Sequence, residues 1–201
     1  MADKNSSIRS FTRSEKAFIS TFLCFLKDMD FDHIHVTDII NRSGFSRGAF
    51  YARFTDKYDL AKKIIDHEMH TYVESAVDYI RMLESDAEYK QLLPAMTRIQ
   101  RHIYENRDLY DIILDSRYPG MTLDTFINKL MSKVEERISA TRVGAINAHN
   151  NDLYGYKEFY SIMLYIKYWQ SHGYQISPEE MARKILDVHD TRVYRFHVLP
   201  T

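Results

Sequence analysis

Apolar residues recur at intervals of three and four along most of this chain. Phe18, Phe22, Phe25, Leu26 and Met29 share one helical face over 14–29, the spacing of a 3.6-residue turn. Asp28, Asp30 and Asp32 then crowd a predicted turn. A second, short helix is predicted over 36–42, with Ile39 and Ile40 turned inward. Gly44 supplies the left-handed residue that ends it. Ser46 is placed to cap a third helix over 47–54, in which Phe50 and Phe54 stand one turn apart. Thr55 or Asp56 opens a long fourth helix reaching about residue 83.

The rest of the chain has the same period. Leu92, Leu93, Met96, Ile99 and Ile103 mark a helix over 87–104, with Pro94 either starting or kinking it. Short and longer helices follow over 108–115 and 122–139, separated by a Tyr118-Pro119-Gly120 loop. The segment 147–152 reads as a polar turn. Ser177-Pro178-Glu179-Glu180 has the form of a capping box, and the helix after it carries Met181, Ile185 and Val188 on one stripe. The helix over 153–171 differs from all others. Tyr154, Tyr156, Phe159, Tyr160, Ile162, Met163, Leu164, Tyr165, Ile166, Tyr168 and Trp169 cover nearly its whole circumference. A helix apolar all round must be buried all round. One face then meets the chain's own core, and the other a second copy, which makes a homodimer the expected assembly. No strand alternation and no repeat interrupts the pattern. The predicted fold is all-α: an N-terminal three-helix helix-turn-helix unit and a larger helical body, divided as 1–55, 56–190 and a tail of 191–201.

Composition sharpens this picture in three places. Six glycines and four prolines in 201 residues suit helices rather than a turn-rich β fold. The single Cys24 allows no internal disulfide, so a reducing, cytoplasmic compartment is expected. No run reaches the roughly 18 apolar residues of a membrane span, so no membrane partner is predicted. The net charge is −1, yet residues 36–63 hold six cations (Arg42, Arg47, Arg53, Lys57, Lys62, Lys63) against Asp38, Asp56 and Asp59. This local excess of +3 is an electrostatic footprint on a near-neutral chain.

The basic segment coincides with the two short helices. A helix-turn-helix lays its second helix in the DNA major groove. Arginine bridges a guanine edge or clamps phosphate. Tyrosine reaches phosphate oxygens, and Lys57 adds charge at a helix start. Gly48 and Ala49 are small enough for close approach of backbone to groove.

The stretch resembles the DNA-binding domain of the TetR family of transcriptional regulators. The matching residues are Val36-Thr37-Asp38-Ile39-Ile40, then Ser43-Gly44-Phe45-Ser46-Arg47-Gly48-Ala49-Phe50-Tyr51-Ala52-Arg53-Phe54, then Lys57 and Leu60. The resemblance implies DNA contacts from Thr37, Arg47, Gly48, Ala49, Tyr51, Arg53 and Lys57, with Tyr51 and Lys57 on phosphates. Departures are Ile40 for a small Ala, Ala49 for a hydroxyl residue, Arg53 for a common His, and Asp30 for the glycine ending the first helix. Asp30 is expected to take the left-handed conformation in its place. Residues 156–186 are similar to a firmicute subgroup that includes a co-activator of a dihydroxyacetone-kinase operon.

For the body, the resemblance implies an effector pocket opened by movement of the fourth helix, with Tyr72, Tyr79, Met82, Tyr104, Phe126 and Met163 as lining candidates. It also implies a four-helix dimer interface from the last two long helices, with Tyr160, Leu164, Lys167, Tyr168, Met181 and Ile185 as candidates. The expected protein is a dimeric repressor, released from a palindromic double-stranded operator by a small-molecule effector. A co-activator on the same fold, held by a protein partner, is the alternative. No cofactor is predicted. His67-Glu68-Met69-His70 lacks the second histidine of the His-Glu-x-x-His zinc motif, so no metal is predicted. No phosphate loop, nucleophile elbow or cysteine pair is present, and the chain is not expected to be an enzyme.

Overall fold

The computed structural model describes residues 11–84, 89–140 and 151–189. The predicted tail over 191–201 lies outside them, as do the side chains of Tyr154, Tyr156 and Phe159. Among the described residues the chain forms nine α-helices and no strand.

Helix α1 (Arg13–Asp28) begins at Thr12, whose hydroxyl accepts from the Glu15 amide while Glu15 reaches back to the Thr12 amide. Such a reciprocal cap satisfies two of the otherwise orphaned amides of a helix start. The helix does not end on a left-handed residue at Asp30. Met29 is extended (φ −148°) and Asp30 has φ −67°. Asp30 instead opens a 3₁₀ turn, Phe31–His33, which takes the chain into α2 (Val36–Ser43). Gly44, at φ +75°, closes α2 as the pattern predicts. Helix α3 (Arg47–Tyr51) is shorter than predicted, with Ala52 as its cap. Phe54 still bonds back to the Phe50 carbonyl, which keeps the two rings on one face.

Four phenyl rings hold these helices together. Phe18 of α1 meets Phe50, Phe45 and Phe54 edge-on, with centroids 5.2, 5.8 and 6.3 Å away. Phe18, Phe50 and Phe54 are buried. Edge-to-face aromatic pairs add directionality to burial, so α3 is fixed in angle on α1 and presents its other face outward.

Helix α4 (Lys57–Glu84) then runs unbroken for 28 residues, about 42 Å at 1.5 Å per residue. It packs on α5 (Tyr89–Glu105) and α7 (Leu123–Ala140). Pro94 sits inside α5, on an exposed side. Helix α6 (Arg107–Leu114) returns to touch α1. Helices α8 (Asn151–Ser171) and α9 (Pro178–His189) complete the chain, and α8 starts within the segment expected to be a turn. Gly173 and Tyr174, both left-handed, reverse the chain after α8. There the buried Trp169 donates its indole N–H to the Ile176 carbonyl at 3.1 Å. Helix α9 packs mainly on α5. No helix among the described residues is long and apolar enough to cross a membrane.

Candidate nucleic-acid interface

The outward face of the first helices is built by the turn between α2 and α3. Ser46 accepts the Ala49 amide at 3.1 Å, and Ser43 donates to the Ile40 carbonyl at 2.9 Å. With Gly44 left-handed between them, both ends of the turn are fixed by local bonds. Thr37, Arg47, Gly48, Tyr51 and Arg53 are exposed on the result, while Ala49 is half-buried against the core. A methyl placed on Gly48 would meet only the Ser46 hydroxyl, at 3.9 Å. Nothing inside the chain therefore requires glycine there.

The six cations do not act alike. Arg47 lies over the Tyr51 ring, 5.4 Å from its centroid, and reaches no carboxylate among the described residues. Arg53 is exposed. Arg42 turns back instead, donating to Cys24 Sγ at 3.2 Å and covering the Phe25 ring. Lys62 pairs with Asp66, and Lys63 with Asp59 at 3.0 Å. Lys57 donates to the carbonyls of Phe31, Ile34 and Asp32 at 2.9, 3.0 and 3.2 Å. An ammonium has three hydrogens, and here all three are directed into the chain. The +3 excess narrows to an exposed pair, Arg47 and Arg53, beside Tyr51.

The expected pocket residues differ in burial. Tyr72, Tyr79, Phe126 and Met163 are buried, and Met82 half-buried. Tyr104 stands apart, stacked near Trp169 at 5.5 Å. None of the six lines the cleft of about 640 Å³ that lies between Phe31, Tyr58 and Ile65 on one side and the Arg117–Met121 loop on the other. Tyr118 of that loop donates to the Ala61 carbonyl of α4.

The dimer candidates divide by face. On α8, Met163, Ile166 and Trp169 are buried, while Leu164 and Tyr168 remain 66% and 50% exposed, with Lys167 between them. Tyr160 donates to Asp124 at 2.7 Å. Met181 and Ile185 of α9 are buried in the chain's own core and offer no outer surface.

One polar cluster escaped the sequence reading. Glu68 of α4, His102 of α5 and Tyr110 of α6 meet in the core. The signal was present: Glu68 interrupts the inward stripe of Leu60, Ile64, Tyr72 and Val73, and His102 stands one turn from Ile99. Among the described residues no three His, Cys, Asp or Glu side chains are grouped to hold a metal.

Residues 90–190 match a sequence family described as the transcriptional regulator C-terminal region, TetR_C_8. Among curated proteins, the chain is 19% identical over 170 residues to an HTH-type transcriptional regulator, YxbF of Bacillus subtilis strain 168. The match covers 83% of this chain but only 42% of that relative. A TetR-family regulator from Syntrophomonas wolfei shares the fold with a TM-score of 0.59 at 19% identity, over 93% of this chain and 98% of that one. A TetR regulator from Streptococcus agalactiae 2603V gives 0.53 at 19% identity, over 88% and 93%. The dihydroxyacetone kinase operon activator DhaS gives 0.55 at 16%, over 90% and 96%. At these identities the solved structures establish the fold alone.

Proposed function

We propose, from the premise that this chain belongs to the TetR-type transcriptional regulators by the match over half its length, that it reads double-stranded operator DNA as a homodimer under control of a small molecule. Residues 1–55 are the reading head, and 56–190 the effector-binding and dimerisation body. The observation that carries this reading is the exposed row of Arg47, Gly48 and Tyr51 on a recognition helix locked by buried rings, with Arg53 exposed just past its end.

Each residue has a role that fits its placement. Arg47, at the first turn of α3, reaches a base edge or phosphate. Gly48 lets the groove wall approach, since the chain itself leaves that space open. Ala49 flanks it. Tyr51 and Arg53 contact phosphates, and Thr37 does so from α2. Lys57 acts from behind, holding the Phe31–Ile34 carbonyls so that the turn before α2 keeps its shape. The mechanism is binding, not catalysis.

Dimerisation uses the Leu164–Lys167–Tyr168 face of α8. Exposed leucine and tyrosine on a helix whose opposite face is core leave an apolar strip that a twofold copy covers. The effector acts on α4, which carries the head at one end and Tyr72 and Tyr79 within the body at the other. A ligand that favours one tilt of α4 shifts the spacing of two heads. Repression relieved by ligand is the expected sign.

A second reading, a co-activator gripped by a protein partner, is favoured by Ala49 and Ala52, which leave the recognition helix short of base-reading groups. Selection from a random duplex pool at physiological salt separates the two. Enrichment of a palindrome supports the dimeric reader. A folded dimer that enriches nothing favours the co-activator.

A further inference from the structure

The cleft of about 640 Å³ beside α4 has one wall from the first helices and one from the body. Its volume is within the roughly 300–1,000 Å³ of small-molecule sites. The first wall is the 3₁₀ turn, with Asp30, Phe31 and Asp32. The second is the loop after α6, residues 116–121, with Lys129 of α7 beside it. Ala61 and Ile65 of α4 and Met121 of the loop, all buried, give the apolar part between them. Tyr58 lines the same space while 60% exposed, its ring edge-on to Phe31 with centroids 4.9 Å apart.

Both walls are pinned. Lys57 holds the turn through the Phe31, Asp32 and Ile34 carbonyls. Tyr118 donates to the Ala61 carbonyl, and Arg117 to the Lys27 carbonyl. Two left-handed residues, Ser116 (φ +56°) and Gly120 (φ +63°), bend the loop on either side of these anchors. A cleft fixed before binding loses little freedom when a ligand enters.

The walls carry opposite charge and do not neutralise each other. Asp30 and Asp32 are exposed carboxylates on one side, Arg117 and Lys129 exposed cations on the other. Lys62 and Asp66 pair with each other along α4. Among the described residues no ion pair joins the two walls. A simple cation drawn to Asp30 and Asp32 meets Arg117 and Lys129 opposite, and a simple anion meets the reverse. One wall thus opposes each of them. A molecule with an ammonium at one end and a carboxylate at the other suits both walls. An apolar body between its ends finds Phe31, Tyr58, Ile65 and Met121. A single amino acid carries both charges on one carbon. Two or three residues, extended at about 3.3–3.6 Å each, separate them enough to face different walls.

We propose that this cleft binds a short peptide with free termini and apolar or aromatic side chains, its ammonium toward Asp30 and Asp32 and its carboxylate toward Arg117 and Lys129. The site is separate from the interior around Tyr72 and Tyr79, neither of which lines it. A peptide joining the turn to the loop also restrains the head on the body. That last consequence rests on the proposed DNA reading; the binding site does not.

The test titrates the full-length protein with a panel of tripeptides built from Phe, Tyr, Leu and Val, followed by saturation-transfer NMR and calorimetry. Members of the panel are expected to bind with Kd of about 1 mM or tighter. Acetylating the amine or amidating the carboxylate is expected to weaken binding about fivefold each. In an Asp30→Asn/Asp32→Asn variant the effect of acetylation disappears, and in Lys129→Gln the effect of amidation shrinks. All three residues are exposed, and far-UV circular dichroism checks that the variants fold. A panel that does not bind overturns the proposal, as does binding that neither the capped ends nor the variants change. Binding with the expected pattern that leaves duplex affinity unaltered strikes the restraint on the head and leaves the site standing.

Discussion

The guanidinium of Arg47 rests over the ring of Tyr51, 5.4 Å from its centroid, one turn further along the same short helix. Both side chains are exposed. The ring restricts the arginine on the free protein and leaves its donors outward, so less freedom is lost when a base or phosphate is engaged. Arg47→Ala is expected to weaken binding to a selected operator by about 1–3 kcal/mol and to relax specificity at one base pair. The unfolding midpoint and oligomeric state stay unchanged. Titration of matched and single-mismatch duplexes at fixed salt checks this. Equal weakening on every sequence would assign Arg47 to phosphate alone.

Lys57 has the opposite character. Its three bonds to the Phe31, Asp32 and Ile34 carbonyls close the turn before α2, and its ammonium lies 4.4 Å from the Phe31 ring centroid. Hydrogen bonds from a charged donor contribute more than neutral ones, about 1.5–3 kcal/mol in mutational series. Lys57→Met is expected to lower stability by about 2 kcal/mol in chemical denaturation, with DNA affinity falling as a consequence. A variant as stable as wild type that loses DNA affinity and salt dependence would return Lys57 to the phosphate-contact role.

These two residues show how far the sequence could be read. Helical spacing and the caps at Ser46 and Ser177 located the elements, because such signals are local. The fate of a cation is not local. A lysine at a helix start looks the same whether it faces phosphate or curls under to a 3₁₀ turn. The turn's path decides, and Asp30 directs it by staying extended rather than left-handed. Met181 and Ile185 carry the same lesson. Their stripe announces a buried face, but only the docking of α9 on α5 says against what. Glu68 was hidden by its neighbours. It was read with His67 and His70 only as an incomplete zinc motif, although the apolar stripe of α4 runs through position 68.

Gly44 is a turn residue whose conformation limits its replacement directly. Its φ of +75° lies in the left-handed region, and a methyl placed there would meet no atom within 4 Å. The cost of Gly44→Ala is thus backbone strain without a clash, about 1–2 kcal/mol. Gly44→Asn is expected to cost less, since asparagine adopts this region more readily. Denaturant unfolding of both variants ranks them. Equal losses would mean that the turn relaxes out of the left-handed region when a side chain is added.

The outer face of α8 gives the last test. Leu164 and Tyr168 are one turn apart and project from a helix whose other side buries Met163, Ile166 and Trp169. If a second copy covers this strip, a charge placed in it must be desolvated without a partner on association. Leu164→Glu is expected to convert a dimer to monomer in analytical ultracentrifugation, while far-UV circular dichroism stays the same. Operator affinity should fall much further than with Arg47→Ala, because two half-sites are then read independently and the gain from linking them is lost. A dimer that survives both Leu164→Glu and Tyr168→Glu would place the interface elsewhere. In that case the half-exposed tyrosine, stacked on His172 at 4.2 Å, is a feature of the monomer surface, and the spacing of the heads is set by another pair of helices.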